Sequence, residues 1–219
     1  MTAGRLGSET LSATVSLGGQ EVEKSDLVRV LRAVNERSVR PERSIIHALP
    51  IGYSLDGQKG VKDPLGMVGE KLGVDVSVVS AETLAMRNIE LVLHRCHLQI
   101  EALVATPYAS GLATLVDDES QLGVACLDFG GATTTVAVFA DSQLVYADAI
   151  AIGGHHLTLD LARQLSIGVA DAERLKTVYG SVLPGQADVR EMIPIVPVGA
   201  AIDEAPGQIP RSAITRVLR

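Results

Sequence analysis

Leu127-Asp128-Phe129-Gly130-Gly131-Ala132-Thr133-Thr134 is the stretch on which the reading of this chain turns. Leu122 to Leu127 is an apolar run that suits a buried strand with one acid, Asp128, at its C-terminal end. Thr133 to Phe139 alternates as a returning strand. A carboxylate at a strand end, then paired glycines, then threonines, is the composition that a phosphate-cradling hairpin needs. Glycine lets the backbone approach a phosphate and adopt positive φ, successive N–H groups form an anion nest, and threonine hydroxyls add donors. Asp128 is repelled by phosphate but can hold Mg²⁺ through water, because that ion keeps several of its waters. An ordinary hairpin whose glycines serve only a tight turn has the same appearance. Neither G-x-x-x-x-G-K-[ST] nor G-x-G-x-x-G occurs, which takes support from the two commonest nucleotide folds.

Downstream, Gln143 to Ile152 reads as a third strand stopped by Gly153-Gly154. Helices are expected over His155 to Leu165 and Ala170 to Tyr179, with Gly180 as the C′ residue of the second. Met192 to Val198 is broken by Pro194 and Pro197, and a Pro/Gly-containing tail with Pro206 and Pro210 follows. Upstream, Ala85, Ile89, Val92, Leu93 and Cys96 share one face of a long helix from Ala81. Gln99 to Ala105 reads as a short strand, Tyr108 to Leu115 as a helix weakened by Gly111, and Asp117-Asp118-Glu119 as a solvated loop.

The N-terminal eighty residues read as a small α/β unit. Thr10 to Ser16 alternates as a strand and closes at Leu17-Gly18-Gly19. Ser25 is the expected N-cap of a helix with Asp26 in its first turn, and Leu27, Val30, Leu31 and Val34 form its apolar stripe. Arg43 to Leu49 and Ile51 to Leu55 are strands flanking Pro50, Gly57 to Gly60 is a turn, and Val74 to Val79 is another strand. Strand, helix, strands, then helix–strand–helix, then a meander argues α/β with a mixed sheet.

Composition narrows the class. The 219 residues are 47% apolar, too many for a disordered chain, and a net charge of −7 gives no general attraction to nucleic acid. Cys96 and Cys126 form no C-x-x-C pair and fit reduced thiols in a cytosolic core. No run approaches a membrane span, and Met1-Thr-Ala-Gly-Arg5 lacks the apolar stretch of a signal peptide, so a soluble intracellular protein is expected. His94, Cys96 and His97 diverge too much on one helical turn to make a zinc site, and the adjacent His155-His156 diverge likewise.

The strand–D-x-G-G-x-T-T–strand hairpin resembles the second phosphate motif of the actin/Hsp70 ATPase superfamily. Ser44-Ile-Ile-His-Ala-Leu-Pro50, Asp56-Gly57-Gln58, Gly60-Val-Lys-Asp-Pro-Leu-Gly66, Asn88-Ile89, Arg95-Cys96, Ser110-Gly111, Ile152-Gly153-Gly154 and Asp171-Ala172-Glu173 look like the FtsA family of bacterial cell-division actin homologues. The similarity runs from about Ser12 to Arg219, and it is the order and spacing of the motifs that make it specific. The resemblance implies partial actin-like (ribonuclease H-like) ATPase lobes with an inserted strand–helix–strand–strand (SHS2-type) subdomain. Residues 1–80 would be that interaction subdomain, 81–121 the second part of the first lobe, and 122–219 the start of the second lobe.

It also implies a ligand, ATP with Mg²⁺. Asp128, Gly130, Gly131, Ala132, Thr133 and Thr134 would bind the phosphates, with Asp128 holding Mg²⁺ through water. Gly153 and Gly154 would form a turn near the phosphates, and Glu173 and Lys176 would contact the nucleoside; without the family, that pair is an ordinary i, i+3 ion pair. The implied partners are FtsZ, other divisome proteins and further copies of the chain, at the cytoplasmic face of the inner membrane.

Departures from the family pattern shape the expectation. A first phosphate motif of D-x-G-[ST] type does not precede Thr10, and neither a downstream adenosine motif nor a C-terminal membrane helix is recognisable. The chain therefore reads as a partial copy, with weak ATP binding, little hydrolysis and only indirect membrane attachment. Ala132 replaces a third family glycine, where it could obstruct a positive φ, and Thr135 stands where an acid is usual. Two other functions compete: a small-molecule kinase of the same superfamily, and a protein-interaction fragment that binds no nucleotide.

Overall fold

The computed structural model describes residues 5–38, 40–186, 188–199 and 207–219. Parts of the chain start and of the tail, Pro206 included, lie outside the described residues. The chain divides into two units: residues up to Asp128 with Thr134–Ile150, and Phe129–Thr133 with Ala151–Arg219.

The first unit begins with β1 (Gly7–Ser16), α1 (Lys24–Ser38), β2 (Arg43–Leu55), β3 (Gln58–Val61) and β4 (Lys71–Glu82). It continues with α2 (Thr83–Arg95), α3 (Thr106–Thr114), α4 (Asp117–Leu122), β5 (Val124–Phe129), β6 (Thr134–Ala140) and β7 (Gln143–Ile150). A seven-stranded sheet runs β3-β2-β4-β1-β7-β6-β5. β4 pairs antiparallel with β1 along one edge and with β2 along the other, so both its edges are hydrogen-bonded. Leu72, Val74, Val76 and Val78 enter a core with Val30 and Val34 of α1, while Val79 and Ala81 enter a second core with Ala137, Phe139 and Leu144. That division follows from the two-residue period of a strand.

Leu27 and Leu31 pack against the first core beside Val30 and Val34, as the helical spacing predicts. The start of α1 differs from expectation. Ser25 lies inside the helix, and Asp26 Oδ2 accepts the Glu23 N–H at 3.0 Å, so the acid supplies the cap. β2 runs through Pro50 instead of breaking there. Its register shifts between Pro50 and Gly52, and β3 pairs with it only from Tyr53 to Leu55. The proline thus sits at a bulge beside an uncovered stretch of edge, where a missing N–H is tolerated.

Other expectations fail for identifiable reasons. Residues 99–105 belong to neither sheet; Leu103 and Ala105 pack into the second core from an extended segment. Asp117-Asp118-Glu119 is the first turn of α4, where acids suit the helix N-terminus and Glu119 Oε2 accepts the Val116 N–H at 3.1 Å. Leu122 ends that helix and is 88% exposed, and β5 is a half-exposed strand, with Leu127 57% exposed. Val92 is exposed too, so the α2 stripe is narrower than its spacing suggests. The cysteines differ: Cys96 is exposed at the end of α2, while Cys126 is half-buried and packs against the second core.

The second unit contains α5 (Gly154–Leu165), α6 (Val169–Tyr179), β8 (Met192–Ile195), β9 (Gly207–Pro210) and α7 (Arg211–Leu218). Leu161, Ala172, Leu175, Ile193 and Ile214 form its core. The tail after Pro210 is a helix, because Ile214 and its neighbours bury against α5 and α6. Gly180 closes α6, as expected, with φ −64°; a Cβ there would clash with the Lys176 carbonyl oxygen, and that contact requires glycine. Among the described residues no helix is long and apolar enough to cross a membrane.

Candidate functional site

Asp128 lies at the end of β5, as expected, and its carboxylate is fixed by a residue on another element. Ser110 Oγ of α3 donates to Asp128 Oδ2 at 2.9 Å. α3 can approach this closely because Gly111 has no side chain; a Cβ there would meet the buried Phe139 ring at 2.3 Å. Tyr108 stacks on the same ring with centroids 6.3 Å apart. Ser110 is the functional candidate that residue-by-residue reading passes over, since a lone serine on a helix carries no spacing signal.

The turn after Asp128 works differently from its sequence-based reading. None of Gly130, Gly131 and Ala132 has a positive φ, so Ala132 obstructs nothing. The Gly130 N–H is used within the turn, donating to the Thr133 carbonyl at 2.9 Å. The carbonyls of Gly130 and Gly131 accept the N–H groups of Gly154 at 3.0 Å and His155 at 2.7 Å. The hairpin turn therefore caps the start of α5, supplying acceptors that a helix N-terminus lacks. His156 completes the cap, its Nδ1 accepting the Gly153 N–H at 3.1 Å. Gly153 is the glycine that the close approach demands: a Cβ on it would lie 2.4 Å from the Gly130 oxygen and 2.7 Å from the Gly131 oxygen.

Glu173 and Lys176 are one turn apart on α6, and both face α5. Lys176 Nζ donates to Glu173 Oε2 at 2.8 Å, Thr158 Oγ1 at 2.9 Å and the Gly154 carbonyl at 3.0 Å. Thr158 Oγ1 donates in turn to Glu173 Oε2. These hydrogen bonds, Lys176 first, hold the Glu173 carboxyl below its ordinary range. Glu173 remains about half exposed while Lys176 is 22% exposed. Gly153, Gly154, Glu173 and Lys176 thus join the Gly130-Gly131 turn in one hydrogen-bonded group within the second unit.

The donor set suits a bound anion. Gly131 is exposed with nothing within 4 Å of its missing Cβ, and the N–H groups of Gly131 and Ala132 have no intrachain acceptor among the described residues. Asp128 is the carboxylate a hydrated cation would use, and Thr133 and Thr134 carry the hydroxyls beside it in sequence. No cluster of metal-ligating side chains occurs among the described residues, His94, Cys96 and His97 included.

Comparison with known proteins identifies the lineage. Residues 3–80 match the family model of the SHS2 domain inserted in FtsA, and residues 125–215 match that of cell division protein FtsA. The chain is 53% identical to the FtsA of Rhizobium meliloti (strain 1021), over 100% of the chain and 50% of that relative. It is 54% identical to the FtsA of Agrobacterium fabrum, over 100% of the chain and 49% of the relative. The chain belongs to the FtsA family. The FtsA of Pseudomonas aeruginosa is more distant, at 33% identity over 93% of the chain and 48% of its own length. The chain spans about half the length of these curated FtsA relatives. A solved structure titled PilM-PilN type IV pilus biogenesis complex shares the fold, with TM-score 0.54, 20% identity, and coverage of 80% of this chain and 48% of the other. The expected α/β class, with an SHS2-type subdomain inserted in actin-like lobes, is borne out.

Proposed function

We propose that this FtsA-family chain serves bacterial cell division as part of an ATP-binding, actin-like protein that joins the FtsZ ring to the inner membrane from its cytoplasmic face. The supporting observation is the hairpin: Asp128 held by Ser110 at a strand end, followed by an exposed turn with open N–H groups. Asp128 would hold Mg²⁺ through water, Gly130, Gly131, Ala132, Thr133 and Thr134 would contact the phosphates, and Gly153-Gly154 would support that turn. Glu173 and Lys176 would face the nucleoside. Bound ATP would supply a state-dependent contact between lobes; the chain's own residues orient its phosphates. Residues 1–80 would act as the interaction subdomain, 81–121 and 122–219 as lobe segments, with divisome proteins and further copies of the chain as partners.

Calorimetric titration of Mg-ATP into the full chain tests this reading. The expected result is weak, saturable, Mg-dependent binding that Asp128→Ala abolishes. Binding that is unchanged in Asp128→Ala, or no binding at millimolar nucleotide, overturns it.

A further inference from the structure

We propose that Lys176 is a positioning residue whose ammonium clamps the start of α5 to the hairpin turn. An ammonium has three donors, and Gly154, Thr158 and Glu173 supply three acceptors at 3.0, 2.9 and 2.8 Å. The acceptor on Gly154 is the informative one. Its carbonyl belongs to the same peptide group as the His155 N–H, which donates to the Gly131 carbonyl at 2.7 Å. Lys176 therefore pulls on one end of a peptide whose other end holds the hairpin turn. A cation on the carbonyl oxygen draws charge from the amide and makes its N–H a stronger donor, the cooperative effect expected of chained hydrogen bonds.

The surroundings favour this placement. Nζ approaches Gly154 without crowding, since even a Cβ there would lie 3.6 Å from it, an ordinary van der Waals distance. Glu173 and Thr158 hold the ammonium from its remaining sides, so the clamp forms without a ligand. The name given to the hairpin rests on the function proposed above, whereas the clamp itself does not.

Amide NMR of the full chain without nucleotide provides the test. In Lys176→Met, the His155 amide resonance is expected to move upfield and its hydrogen exchange to accelerate roughly tenfold or more, with Gly154 following. Amides of the β8–β9 ladder, which belong to the same unit, are expected to keep their protection. An unmoved His155 resonance, or equal acceleration throughout the unit, overturns the proposal. Competitive acetylation of the unmodified protein supplies a second readout that needs no variant. Lys176 is expected to react roughly tenfold more slowly than Lys59, which is 81% exposed, and equal rates overturn the clamp. Neither readout involves ATP, so failure of the titration and failure of the clamp are separate results.

Discussion

His47 Nε2 on β2 accepts the backbone N–H of Ala105 at 3.0 Å, so an imidazole does for the chain before α3 what a neighbouring strand would otherwise do. Ala105 is fully buried, and Tyr108 covers the imidazole edge at 5.0 Å between centroids. Only the neutral ring can accept that bond, and burial accordingly lowers the His47 pKa below its ordinary 6.5.

The unfolded chain therefore takes up the His47 proton at higher pH than the folded one. Stability from this group is complete above about pH 6.5 and declines as pH falls below it, levelling once the folded form also titrates. Urea unfolding at pH 8.0 and at successively lower pH should show that loss, and His47→Phe should remove this step. At pH 8.0 the same variant should lose about 1–3 kcal/mol, since the Ala105 N–H is left unpaired in the core. A His47→Phe protein with the parent's pH dependence would contradict the assignment.

Gly153→Ala and Gly131→Ala form a matched pair. The added methyl at Gly153 meets two backbone oxygens, at 2.4 and 2.7 Å, while at Gly131 it meets nothing within 4 Å. Gly153→Ala should cost about 1–3 kcal/mol in denaturant unfolding, and Gly131→Ala should stay within about 0.5 kcal/mol of the parent. Equal costs would show that the turn does not press on α5.

Ser110→Ala should destabilise the chain by about 1–2 kcal/mol through loss of the bond to the Asp128 carboxylate. In an Asp128→Ala background the same change should cost far less. The double-mutant cycle measures the difference, and full additivity would remove Ser110 from the site.

Thr135 is 2% exposed and its hydroxyl has no hydrogen-bond partner among the described residues. Thr135→Val keeps the shape and removes the unpaired oxygen, so it should raise stability by about 1 kcal/mol, visible as a higher thermal midpoint. A lower midpoint would show that the hydroxyl is satisfied in solution.

The elements legible in the residues are those built on local periodicity or local turn chemistry. The stripe Leu27, Val30, Leu31 and Val34 finds its core because helical spacing alone puts those side chains on one face. Asp128 lands at a strand end beside a glycine turn for a similar reason, and Glu173 and Lys176 share a face because they are three residues apart. Failures occur where a segment's state depends on a remote partner. Gln99 to Ala105 has strand-like residues, but a strand requires a neighbouring ladder, and Ala105 gives its N–H to His47 instead. Pro50 looks like a break until its place at a bulge is known.

The sequence by itself determined the α/β class, the hairpin with its acid and glycines, and the family to which the chain belongs. Short-range sterics and hydrophobic spacing are written in adjacent residues and survive any rearrangement of the rest. Only the tertiary structure decided where hydrogen bonds between distant residues go. It turned the carbonyls of Gly130 and Gly131 toward α5, set Ser110 on Asp128, and directed the Lys176 ammonium to Gly154. A buried donor takes whichever acceptor packing brings within about 3 Å, and that neighbour is settled by the fold of the whole unit, not by spacing along the chain.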